Sequence, residues 1–67
     1  MKRVIRSKAS GKYLQDDGAW SEDPEHAVCF EDLLSALKAV KKHELTNVEL
    51  VLMMREEPSS YDVAMEL

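Results

Sequence analysis

The stretch Phe30-Glu31-Asp32-Leu33-Leu34-Ser35-Ala36-Leu37-Lys38-Ala39-Val40-Lys41-Lys42-His43 sets the architecture. Phe30, Leu33, Leu34, Leu37 and Val40 fall at offsets 0, 3, 4, 7 and 10, the spacing of one apolar face on an α-helix. Glu31 and Asp32 stand at the start, where the helix dipole favours negative charge, and Lys38, Lys41 and Lys42 stand towards the negative end. A helix over 31–43 follows, with those five residues against the core. No glycine closes it, so His43 or Glu44 is expected to take the left-handed cap conformation, with Leu45 folded back on the last turn.

C-terminal to the helix, Val48-Glu49-Leu50-Val51-Leu52-Met53-Met54-Arg55 reads as a strand. One face carries Val48, Leu50, Leu52 and Met54; the other carries Glu49, Val51, Met53 and Arg55 and is apolar in its middle. Such a strand is either covered on both sides or has a second face awaiting a partner. A polar turn, Glu56 to Ser60, leads to Tyr61-Asp62-Val63-Ala64-Met65-Glu66-Leu67, whose alternation predicts a second strand and a hairpin over 48–67. Ser59-x-x-Asp62 also fits a capping box, which keeps a short helix open as the alternative.

N-terminal to the helix, residues 2–8 read as a strand centred on Val4 and Ile5. Ala9-Ser10-Gly11 is a turn, and Lys12-Tyr13-Leu14-Gln15 is the return strand of a hairpin over 2–15. Asp16-Asp17-Gly18 is the next turn, beyond which Trp20 inserts into or caps the core. Asp23-Pro24-Glu25 has the signature of a short helical turn, with Asp23 as N-cap and Pro24 at the tolerated first position. Ala27-Val28-Cys29-Phe30 is a candidate short strand. The prediction is a single α+β domain over 1–67, in two layers, with one helix packed on a mostly antiparallel sheet in the order β-β-(β)-α-β-β.

The run Gly11-Lys12-Tyr13-Leu14, then Asp17-Gly18-Ala19-Trp20, Asp23, Ala27, Phe30 and Ser35-Ala36 resembles a pattern found in small, mostly uncharacterised bacterial and phage proteins. The likeness spans roughly residues 4–52. It implies a hairpin–helix–hairpin fold and attaches no activity, because its positions are turn and core positions.

The composition bounds the function. The chain has 67 residues, 45% hydrophobic and 33% charged, with a formal charge of −4. This is the composition of a folded domain rather than a linker, and the negative balance argues against a general nucleic-acid or anionic-membrane binder. The average hides a polarity. Lys2, Arg3, Arg6, Lys8 and Lys12 precede the first acid, whereas residues 13–37 hold Asp16, Asp17, Glu22, Asp23, Glu25, Glu31 and Asp32 with no Lys or Arg. No membrane span or secretory leader is predicted, so the expected location is cytoplasmic.

His26-x-x-Cys29, with His43 and Asp23, supplies the residue types for a metal site or a nucleophilic set, but lacks paired zinc-ligand spacing and the four Cys/His of a structural site. No catalytic, metal or cofactor residue is assigned, and no cofactor is expected. The function expected is a non-catalytic protein-interaction module that self-associates as a dimer or meets another protein. Its candidate interface is Val51, Met53, Tyr61 and Met65, rimmed by Glu49 and Arg55. Burying such a patch would supplement a core that in a chain this short gives only about 3–5 kcal/mol. The alternatives are an acidic regulator docking a basic surface through Asp16, Asp17 and Glu22, and a small enzyme or metal site using Cys29 and His26.

Overall fold

A computed structural model describes residues 2–55 and 57–67; Met1 and Glu56, the latter counted in the expected turn, lie outside the described residues. Among the described residues the elements are β1 (Lys2–Ser7), β2 (Tyr13–Leu14), β3 (Trp20–Ser21), a 3-10 turn (Pro24–His26), α1 (Leu33–Lys42), β4 (Val48–Met53) and β5 (Val63–Glu66). The strands form one antiparallel sheet in the order β3-β2-β1-β4-β5. The protein is a two-layer α+β domain with a single helix packed on the sheet.

The two central strands each bury adjacent residues. Val4 and Ile5 of β1, and Leu50 and Val51 of β4, are all buried, and adjacent strand residues point to opposite faces. The α1 side holds Ile5, Leu14, Ala36, Val48 and Leu50, with Trp20, Val28, Phe30, Val40 and Leu45 packed around them. The opposite side holds a smaller cluster of Val4, Tyr13, Val51 and Met53, with Ala27 against it.

The register Val4↔Val51, Arg6↔Glu49 and Val51↔Ala64 identifies one face, and Ile5↔Leu50, Leu50↔Met65 and Leu52↔Val63 the other. Val63 and Met65 therefore lie on the α1 side, whereas Ala64 and Glu66 lie on the far side. β5 is the outermost strand, and all four of its residues are exposed.

α1 starts later than expected, at Leu33. Asp32 is its N-cap, with the carboxylate accepting the Ser35 N–H at 2.8 Å. Glu44 and Asn47 take left-handed backbone angles (φ 52° and 55°), and the Leu45 N–H returns to the Val40 carbonyl at 2.9 Å. This is the costly glycine-free ending that the sequence implied.

The core face of α1 differs from the expected one. Ala36 is fully buried, while Leu33, Leu34 and Leu37 are 42%, 60% and 41% exposed. An alanine at the contact lets the helix approach the sheet closely and turns the larger leucines to one flank.

One further expectation is corrected and two are made definite. Trp20 packs against the α1-side core as expected, and does so from a short strand in which it pairs with Leu14. Residues 27–30 form no strand: the Val28 N–H reaches the Leu14 carbonyl and the Phe30 N–H the Arg3 carbonyl, leaving only an isolated bridge to β1. At the C-terminus the expected strand forms as β5 and the helix alternative does not: the Asp62 carboxylate accepts the Ser59 N–H, but the Asp62 N–H donates to the Ser59 carbonyl and not to its hydroxyl. The expected turn at Asp23-Pro24 forms as drawn, with the Asp23 carboxylate accepting the Glu25 N–H at 2.9 Å.

Candidate interaction surface

The four residues expected to form one interface do not come together. Val51 and Met53 are 1% and 0% exposed, because they are enclosed with Val4 and Tyr13 in the smaller cluster. They are core residues and no part of an outer surface. Tyr61 and Met65 are 62% and 42% exposed, but Met65 is on the α1 side of the sheet. The Arg55 guanidinium sits over the Tyr61 ring, 4.8 Å from its centroid.

Among the described residues the other exposed large apolar groups are Leu33, Leu34 and Leu37 of α1, Met54 after β4 and Val63 of β5. α1 begins next to the Arg3 end of β1, where the Arg3 guanidinium donates to the Glu31 carbonyl. It hands the chain on to Val48, which pairs with Ser7 at the other end of β1. The helix axis thus runs along the strands, and its two flanks face the two edges of the sheet.

At about 100° per residue, Ala39 and Lys42 lie on one flank, and Leu33, Leu37, Lys41 and Leu34 on the other. The Ala39–Lys42 flank borders a shallow cleft of about 260 Å³ against Leu14, Val28 and Phe30 on the β2 side. Leu33 and Leu37, about 60° and 100° round the helix from the buried Ala36, are therefore turned towards β5, whose Val63 (54% exposed) and Met65 stand on the same side of the sheet, whereas Leu34, at about 160°, points away from the sheet.

Leu33, Leu34, Leu37 and Val63 are the residues that sequence reasoning missed. Counting Ala36 and Ala39 with the larger side chains makes the apolar arc of the helix about 220° wide at 100° per residue. That is broader than one sheet contact can cover, and it was the available signal.

On the far side of the sheet, charges are paired across strands. The Arg6 Nε donates to the Glu49 carboxylate at 2.8 Å. Burial would lower the Arg6 pKa, but the hydrogen bonds to Glu49 and Tyr13 outweigh it and hold the group above its ordinary value. Glu66 lies directly opposite Glu49 and is paired with Lys8, which depresses its pKa.

The acidic candidates Asp16, Asp17 and Glu22 are exposed around the β2–β3 connection. The Asp17 carboxylate accepts the Ala19 N–H at 2.9 Å, so it serves the turn itself. Cys29 is exposed, with its thiol directed at the Ala27 carbonyl. His26 lies 3.9 Å from Asp23 and 3.5 Å from the Ser21 hydroxyl, and His43 packs beside Gly18. Among the described residues no hydrogen bond joins Cys29 to either histidine, and no group of three or more His, Cys, Asp or Glu is placed to hold a metal ion. No helix of the described residues is long and apolar enough to cross a membrane. No protein-family model, curated protein or solved structure matches the chain.

Proposed function

We propose that this chain is a small, non-catalytic interaction module that self-associates on its β5 side, by the edge of β5 or by the leucine flank of α1. What supports the reading is that Leu33, Leu34 and Leu37 of α1 and Val63 and Met65 of β5 are all exposed, and that β5 is an edge strand. Single exposed apolar residues need no explanation, but several on the helix flank and the edge strand of one side of the domain favour association there.

Small size alone does not require it. The accessible surface of 4524 Å² is close to the roughly 4,300 Å² of a folded monomer of this mass. The case for assembly rests on where the leftover apolar groups lie. Docking of the acidic residues Asp16, Asp17 and Glu22 on a basic surface has less behind it, since turn formation already accounts for Asp17.

Sedimentation velocity from about 1 µM to about 1 mM covers association free energies of roughly 4–8 kcal/mol. A concentration-dependent shift from monomer to dimer is expected. A monomer throughout that range overturns self-association.

A further inference from the structure

The self-association just proposed has two ways to form, by the leucine flank or by the strand edge, and the main chain of β5 distinguishes them. The Leu67 N–H donates to the Val48 carbonyl at 3.4 Å, which makes 48↔67 a hydrogen-bonded pair of the antiparallel ladder. Such pairs alternate, so Met65 and Val63 also turn their main-chain groups towards β4. Ala64 and Glu66 consequently present their N–H and C=O groups outwards. This edge has no proline, lysine or bulge within it, the usual means of blocking strand addition. At the opposite edge of the sheet, β3 is only two residues long.

The geometry points to antiparallel pairing of β5 with β5 of a second copy, about a two-fold axis that places Met65 opposite the partner's Met65. An antiparallel strand pair is itself two-fold symmetric, so the contact closes as a dimer and does not propagate. Parity restricts the register, because paired residues must share a face. Setting Ala64 opposite its own copy would place Asp62 against Glu66, two carboxylates in each of two symmetric positions. It would also call on the Asp62 N–H, which already donates to the Ser59 carbonyl at 3.2 Å. Setting Val63 opposite its own copy would extend the pairing into Ser60 and Tyr61, which the bonds between Ser59 and Asp62 hold in a turn.

Of these three registers, only the Met65-centred one confines its hydrogen bonds to main-chain groups that are not already engaged. Ala64 and the partner's Glu66 exchange two hydrogen bonds, and the symmetric pair exchanges two more. On the α1 side the contact is apolar throughout, with Met65 against Met65 and each Val63 against Leu67. The leucine flank is the poorer candidate. Lys41 projects between Leu37 and Leu34 on the wheel, so two-fold packing there would desolvate an ammonium group on each side.

The inference rests on self-association, and the test separates the two. In a Cys29→Ser background, Met65→Cys and Ala64→Cys are each oxidised with oxidised glutathione and read as covalent dimer. Facing Cα atoms at a non-hydrogen-bonded antiparallel pair are about 4.5 Å apart, within disulfide range. Met65→Cys is expected to cross-link at least tenfold more than Ala64→Cys, which faces Glu66 instead of itself.

In the otherwise unaltered protein, exchange at the Ala64 and Glu66 amides should slow with rising concentration, and Leu34→Lys should leave the dimer intact. If the protein dimerises but Met65→Cys cross-links no better than Ala64→Cys, or those two amides gain no protection, or Leu34→Lys abolishes the dimer, the strand pairing is wrong while self-association stands. A protein monomeric at every concentration removes both.

Discussion

Val4 and Val51 lie directly opposite each other in the β1–β4 ladder, and both are buried on the sheet face that α1 does not cover. With Tyr13 and Met53 they make a second core on the back of the sheet. Met53→Ala should therefore cost about 2–5 kcal/mol by urea unfolding, the range for truncating a fully buried side chain. Leu34→Ala, at an exposed position, should stay within about 0.5 kcal/mol in the monomer. A Met53→Ala loss no larger than that of Leu34→Ala would mean the back of the sheet is open after all.

Gly18 and Gly11 allow a controlled comparison. Both have positive φ, 88° and 73°, so alanine at either is strained by about 1–2 kcal/mol. At Gly11 an added methyl would meet nothing within 4 Å, whereas at Gly18 it would meet Cε1 and Nδ1 of His43 at 3.2 Å. Gly18→Ala is expected to destabilise more than Gly11→Ala. In a His43→Ala background the difference should shrink, giving a coupling of roughly 0.5–3 kcal/mol in a double-mutant cycle. Equal losses in both backgrounds would show that the His43 ring swings aside freely.

The elements that local chemistry controls were legible in the sequence. The Asp23-Pro24 turn, the Asp16-Asp17-Gly18 turn, the helix and its glycine-free ending all follow from capping and backbone preferences of a few adjacent residues. The buried face of the helix is not legible in this way, because periodicity weights large side chains. Contact with a sheet instead favours the position where Ala36 permits close approach. The burial of Val51 and Met53 is not legible in the alternation of 48–55, because covering a strand's second face depends on residues remote in sequence. Val4, Tyr13 and Ala27 converge there only after the sheet is assembled. Trp20–Ser21 escaped detection because a two-residue strand has no period to recognise.

Stability should fall in acid for a definable reason. The Asp32 carboxyl is held below the ordinary range by the Ser35 N–H, and that of Asp62 by the Ser59 N–H and, after the opposing effect of desolvation, by the Met54 N–H. These groups bind protons less readily folded than unfolded, so their contribution is complete above the unfolded carboxylate value of about 3.9. It is lost as pH falls through the lower folded values. Thermal unfolding between about pH 5 and pH 2 should therefore show a shallower decline for Asp32→Asn/Asp62→Asn, whose amides carry no titrating charge. An unchanged slope would assign the acid loss to other carboxylates.

The final relationship concerns how β5 is held. Glu66 faces Glu49 across the β4–β5 ladder, an unfavourable pairing of like charges unless each has its own cation. Arg6 serves Glu49 and Lys8 serves Glu66, so two basic residues of the N-terminal segment fasten the last strand. Lys8→Ala should leave Glu66 uncompensated and loosen β5 with little effect on β1 or β4. The readout is exchange at the Met65 amide, which faces β4. It should accelerate several-fold at low salt, and the effect should diminish at high ionic strength as the repulsion is screened. Glu66→Gln in the Lys8→Ala background should restore slow exchange, because it removes one of the two facing charges. If Lys8→Ala accelerates exchange but Glu66→Gln does not reverse it, lysine packing rather than charge fastens the strand.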